Sequence, residues 1–148
     1  MTNRRDFLKG AVAALPLAAA ANSTFAAGKA VKFAAPLVVS TWDSGMNPNA
    51  AAWKVLSANG QAIDAVEAAS RVAEDEPSCC VGLKAYPDRD GYVTLDASIM
   101  DHKANCGSVM FMQQIKHPIS VARKLMETTK HVVLAGDGAT QFAVENGF

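Results

Sequence analysis

The sequence of 148 residues lacks any excess of charge, since 14 Lys or Arg stand against 14 Asp or Glu for a formal net charge of zero. A protein that neutralises nucleic-acid phosphates or an anionic lipid surface presents a basic patch or stripe. Neither partner class is expected. Cysteine is sparse at three residues, Cys79, Cys80 and Cys106, and no Cys-x-x-Cys pair occurs. The three histidines, His102, His117 and His131, are scattered without the spacing of a metal site. No metal and no other cofactor is expected. Apart from an amino-terminal stretch too short to span a bilayer stably, no long apolar run is present, so no stable membrane insertion is expected. The chain does carry 50% hydrophobic and 19% charged residues, enough apolar material for one packed domain of ordinary size.

The amino terminus reads as an address. Asn3-Arg4-Arg5-Asp6-Phe7-Leu8-Lys9 precedes an Ala-rich apolar run from Ala11 to Ala21, and small residues flank Thr24-Phe25-Ala26. A charged start, a short apolar stretch and a small-residue cleavage site make an export signal. The pair Arg4 and Arg5 resembles the bacterial twin-arginine signal, here with Asn3 where Ser or Thr is usual. Residues 1–26 are therefore expected to be removed, giving a periplasmic or secreted protein, with 27–148 as the folded part. Those remaining residues hold 11 basic and 13 acidic side chains, a net charge of −2. In an oxidising compartment, an odd cysteine count leaves at least one thiol unpaired or bonded to another chain. Adjacent cysteines rarely bond each other, so a bridge from Cys79 or Cys80 to Cys106 is the expected one.

Periodicity outlines the elements. Pro36 to Thr41 is a short β-branched run that reads as a buried strand. Trp42-Asp43-Ser44-Gly45 then turns into a helix capped by Asn47 with Pro48 at its first position, with Ala52, Trp53 and Leu56 on one face and a stop at Asn59-Gly60. A second helix spans 62–74 with Ile63, Val66, Ala69 and Ala73 at helical spacing, and a loop covers 77–91. Strict alternation over 92–100 puts Val93, Leu95, Ala97 and Ile99 on one face, and 107–112 reads as the returning strand of a hairpin. Pro118 opens a third helix with Ile119, Ala122, Leu125 and Met126 as its buried stripe. A buried strand at 132–135 leads through Gly136-Asp137-Gly138 into a last helix that ends at Asn146-Gly147. The class is α+β with a largely antiparallel sheet. A hairpin and two further strands do not close a sheet, so the sequence is expected to be the front part of a longer gene.

Little chemistry follows from pattern alone. Gly136-Asp137-Gly138 between a strand and a helix could hold an anion on helix N–H groups, but Asp137 would repel it, and a turn is favoured. Asp88, Asp90, Asp96 and Asp101 lack the ladder of an EF-hand and read as solvated turn acids. Trp42, just past a strand end, is by itself more consistent with core than with a binding site.

Six blocks shift that balance: Val39-Ser40-Thr41-Trp42, Ala52-Trp53-Lys54-Val55-Leu56, Ala62-Ile63-Asp64-Ala65-Val66-Glu67, the long run from Pro87 to Asp101, His117 to Arg123, and His131 to Ala139. Together they resemble the glycosylasparaginase branch of the N-terminal-nucleophile hydrolases, in family order and over nearly all of 37–148. The resemblance implies a four-layer αββα sandwich. It implies a precursor that cuts itself before a threonine, whose freed α-amine is the base for its own hydroxyl. It implies hydrolysis of the amide joining a sugar to asparagine, a small glycoasparagine substrate, no cofactor, and a partner in the chain's own β chain, as a heterotetramer of two α and two β chains. Trp42 matches a substrate-pocket position, and Cys80 stands where a pocket-side Ser would sit. The family's His-Asp-Thr cut site does not occur here, so no catalytic residue is expected in this chain and the nucleophile is expected beyond Phe148. The loop also departs from the family: Cys80-Val81-Gly82-Leu83-Lys84-Ala85 replaces Ser-Val-Gly-aromatic-Gly-Gly. The rival branch, plant-type asparaginase or isoaspartyl peptidase, usually opens with a His-Gly-Gly turn where this chain has Ser40-Thr41-Trp42. A rival of another class is a non-catalytic periplasmic binding scaffold.

Overall fold

The computed structural model describes residues 35–77 and 80–148. The export signal expected at 1–26 lies outside the described residues. After a single 3-10 turn at Asp43–Gly45, the elements are α1 (Met46–Ser57), α2 (Ala62–Asp75), β1 (Leu95–Met100), β2 (Cys106–Met112), α3 (Pro118–Thr128), β3 (Val133–Ala135) and α4 (Gly136–Glu145). The α+β class holds.

β1 and β2 form the expected antiparallel hairpin. Its turn is closed by Asp101, whose Oδ1 accepts the N–H groups of Lys103 and Asn105. Alternation on β2 is interrupted once. Leu95 pairs with Met112 but Ala97 pairs with Val109, so Met110 and Phe111 together face Asp96. An extra residue of this kind is a β-bulge. Phe111 takes a left-handed backbone conformation (φ 53°), and its N–H, off the ladder, donates to Asp96 Oδ1 at 2.7 Å. The bulge moves the inward register from Gly107 and Val109 to Met112, and all three are buried. With Leu95 and Ile99 of β1 they make the inner face of the sheet.

α3 covers that face. Ile119, Val121, Ala122 and Leu125 are buried, and Pro118 starts the helix where its missing N–H costs nothing. The core they enter includes Ile99, Val109, Met112 and Ile115, joined by Ala139 and Ala143 from α4. α4 stops as expected: Gly147 is left-handed (φ 84°), and Phe148 N–H bonds the Ala143 carbonyl at 3.1 Å.

Several expectations fail, each for a physical reason. Pro36 to Thr41 is not a buried strand: none of it pairs with the sheet, and Leu37 and Val39 are exposed. A β-branched run becomes a strand only against a partner ladder, and no described residue offers one. The strand at 132–135 is also not buried. β3 is three residues at an open edge, with Val132 and Val133 about half exposed. It pairs parallel to β2, so the sheet, in the order β1-β2-β3, is mixed rather than largely antiparallel. The cause is α3: a helix between two neighbouring strands brings the chain back in the same direction. The first helix begins at Met46, with Asn47 inside it donating its side-chain amide to Glu76 rather than capping. Trp53 and Val66 sit on exposed faces, whereas Ala52 and Ala65 are buried.

The close approach of α3 to β2 depends on Gly107. A Cβ there would stand 2.2 Å from the Ala122 carbonyl oxygen and 2.9 Å from Met126 Cβ and N. Backbone cannot yield as a flexible side-chain tip can. Gly107→Ala is therefore expected to destabilise the protein by about 1–3 kcal/mol, seen as a lower midpoint in urea unfolding; an unchanged midpoint would show that α3 does not need this contact.

Candidate functional site

The expected pocket residues meet at a cleft. The 3-10 turn is held by Gly45 N–H on the Trp42 carbonyl at 3.0 Å, with Trp42 extended just before it (φ −123°, ψ 163°). That geometry leaves the indole 76% exposed at the rim of a cleft of about 780 Å³. One wall is the segment from Leu37 to Trp42. The opposite wall comes from α1 (Pro48, Ala52, Leu56) and α2 (Ala65, Val66, Ala69, Ala73), and Cys80 and Val81 close one end. The small side chains of α2 explain the space: alanines at helical spacing leave room where leucines would fill it. Polar groups are few. Ser40 donates its hydroxyl to Asn49 Oδ1, which ties the segment to α1.

A second cleft of about 350 Å³ lies beyond Cys80 and Val81, which line both. Its wall is more polar, with Glu74, Thr94, Asp96 and Ser98. The loop between the clefts is anchored to the end of α2 at two points. Gly82 is left-handed (φ 72°) and so close to the Glu74 carbonyl that a Cβ would stand 2.1 Å from its oxygen. Lys84, one of the departures from the family loop, donates from Nζ to the Asp75 carbonyl at 2.8 Å.

The cysteines differ from expectation. Cys80 is disulfide-bonded, and Cys106, half-buried at the start of β2, is a free thiol, so the expected bridge to Cys106 is not made. Cys80 thus faces both clefts without an available thiol. Among the described residues, neither cleft places a histidine or lysine on its wall, and the carboxylates of Glu74 and Asp96 line the smaller one.

Asp88 and Asp101 behave as turn acids. Asp88 Oδ1 accepts from the N–H groups of Asp90 and Tyr92 at 2.9 Å. Hydrogen bonds from the Asn105 side chain and from the Lys103 and Asn105 backbone hold the Asp101 carboxyl below its usual range. Gly136 opens α4 directly from β3, with Asp137 in the first turn.

Pattern reading missed the polar seam between α2 and α3. Arg123 reaches Asp64 and Glu67 at 2.7 Å each and Glu127 at 2.8 Å. These carboxylates hold its guanidinium above its ordinary value. Ser120, buried, donates to Glu67, and Glu74, also buried, meets the start of α3. A signal was available: Ile63, Glu67, Ser70 and Glu74 follow one another at spacings of four, three and four, a polar continuation of an inward helical face.

Residues 38–148 match the family model described as Asparaginase. The chain belongs to the asparaginase family. Within it, the N(4)-(β-N-acetylglucosaminyl)-L-asparaginase of Elizabethkingia miricola is 50% identical over an alignment covering 99% of this chain and 44% of that protein. The protein of that name from Rattus norvegicus is 47% identical over 76% of this chain and 33% of its own length. The plant-type L-asparaginase of Pyrococcus abyssi is 48% identical over 66% of this chain and 32% of its own length. The chain spans less than half the length of these asparaginase-family relatives.

Proposed function

We propose that this chain is the amino-terminal part of an exported amidohydrolase that cleaves the sugar–asparagine amide of glycoasparagines. The observation that carries the reading is 50% identity, across 99% of the chain, to a relative named for that reaction. The plant-type asparaginase alternative is supported by a shorter alignment, 66% of the chain. The first cleft fits a binding role. A large indole left open at the rim of an apolar cleft gains by covering a ligand, while its N–H remains free to donate.

In this reading the nucleophile is a threonine freed by self-cleavage in a segment beyond Phe148. A hydroxyl is a weak nucleophile at neutral pH, and an α-amine with a pKa of roughly 8 on the same residue can take its proton. The hydroxyl oxygen attacks the side-chain carbonyl of the glycoasparagine, the glycosylamine leaves with a proton, and water hydrolyses the aspartyl ester. This chain supplies Trp42 against the substrate, with Cys80 at the end of the cleft. The two chains made by cleavage stay together, as two α and two β chains.

Three outcomes test the reading. The intact mass of the product of the complete reading frame should show two chains, the second beginning with threonine; one uncut chain would shift the reading to a binding scaffold. In the processed protein, Trp42→Ala should lower kcat/KM on a glycoasparagine by roughly 5- to 30-fold, the worth of one aromatic contact, with the unfolding midpoint unchanged because the indole is exposed. An equal kcat/KM would remove Trp42 from the site. Replacing Arg4 and Arg5 together by lysine should leave the precursor in the cytoplasm on fractionation, and undiminished export would refute the twin-arginine route.

A further inference from the structure

Glu74 has no part in the chemistry above, yet its carboxyl is buried where three segments meet. Its side chain is 7% exposed. Oε1 accepts the N–H of Ile119, in the first turn of α3, at 3.0 Å, and Oε2 lies 3.1 Å from His117 Nδ1. Its own backbone carbonyl bears Gly82 of the loop between the clefts. The His117 ring is itself 12% exposed, and its other nitrogen, Nε2, points at Asp75 Oδ1 from 3.7 Å.

The charges around this carboxyl act in both senses, and burial is the largest effect on it. On α2, Arg71 attracts it while Glu67 and Asp75 repel it. Before α3, Lys116 is engaged by Asp75 at 2.8 Å. Across the smaller cleft stands Asp96 of β1, and Cys80 of the loop is disulfide-bonded and does not titrate. Burial pushes the Glu74 carboxyl up to about 7. It also lowers His117, with Arg71 acting in the same direction. Both effects favour an uncharged acid beside an uncharged imidazole.

We propose that Glu74 is protonated in the folded protein below neutral pH and donates its O–H to His117 Nδ1, a proton-operated latch that joins the end of α2, the start of α3 and the loop between the two clefts. In that state both Glu74 oxygens and His117 Nδ1 have complementary hydrogen-bond partners. Glu74 Oε1 accepts from Ile119, Nδ1 accepts from Glu74, and the Nε2–H is directed at the Asp75 carboxylate. When the pH rises through about 7, the proton leaves Glu74 for solvent. Nδ1 then faces an acceptor with no donor between them. The imidazole must move its own proton to Nδ1 to restore the bond, which takes the donor away from Asp75. The latch weakens in alkali.

The sign follows from linkage. An acid whose folded pKa is raised binds its proton more tightly folded than unfolded, so its contribution to stability falls as pH rises from about 4.5 to about 7. His117, lowered on folding, contributes in the opposite sense, and its stability is lost as pH falls below about 6.5. Glu74→Gln separates the two, because the amide keeps an acceptor for Ile119 and a donor for His117 at every pH. In the complete protein, the Tm of E74Q should match wild type within about 1 °C at pH 5.5 and exceed it by roughly 2–4 °C at pH 8.5. A uniform loss at all pH values, or no difference at any, would overturn the latch. Should E74Q fail to fold, the ¹⁵N shifts of His117 in the wild type decide. A neutral ring with Nδ1 unprotonated at pH 6.5 supports the latch, and an imidazolium, or a proton on Nδ1, refutes it.

Discussion

The rest of the structure depends on the contact between α3 and the inner face of the hairpin. Gly107 lets the backbone of α3 come within touching distance of β2, with the Ala122 carbonyl occupying the space a Cβ would need. Val121, Ala122 and Leu125 are then fully buried, and Met112 and Val109 meet them from the sheet. Because α3 lies between β2 and β3, its seat on the sheet also places β3 beside β2 in parallel and sets the start of α4. The bulge at Met110 and Phe111 belongs to the same constraint. Without it Met112 would point away from the core.

Onto that layer α2 is joined through a polar seam that runs on from the apolar contact of Ile63. Arg123 forks across Asp64, Glu67 and Glu127, and Glu74 reaches the first turn of α3. Apolar contacts tolerate sliding, whereas directional bonds from Arg123 to Asp64 and Glu67, and from the helix-end N–H of Ile119 to Glu74, define one position. That position matters because α2 forms one wall of the larger cleft and carries the loop that separates it from the smaller. The seam therefore shapes the smaller cleft, whose wall combines Glu74 of α2, Asp96 of β1 and Pro118 of α3.

Much of this was legible in the sequence. Alternation located β1, the Pro118 start and the apolar stripe located α3, and Asn146-Gly147 located the end of α4. Trp42 and Cys80 were singled out from different segments, and they lie on one cleft. Other assignments failed where local signals met a tertiary condition. The run Val38-Val39-Ser40 has the composition of a strand but joins no ladder among the described residues. Cys106 was paired by the oddity of adjacent cysteines bonding, yet it remains a thiol. Glu74 entered the sequence reading only as the end of the second helix, and exposure is the usual fate of glutamate.

The sequence by itself determined the helices and the hairpin, because periodicity, caps and turn signals act over a few residues and need no distant partner, while the resemblance of its blocks pointed to the family and to Trp42 and Cys80. Tertiary structure alone decided the parallel edge strand, the fate of the cysteines and the burial of Glu74 against His117. Those depend on which segments, 43 residues apart in the last case, share one low-dielectric space, and a charged group's proton is governed by that space more than by its neighbours along the chain.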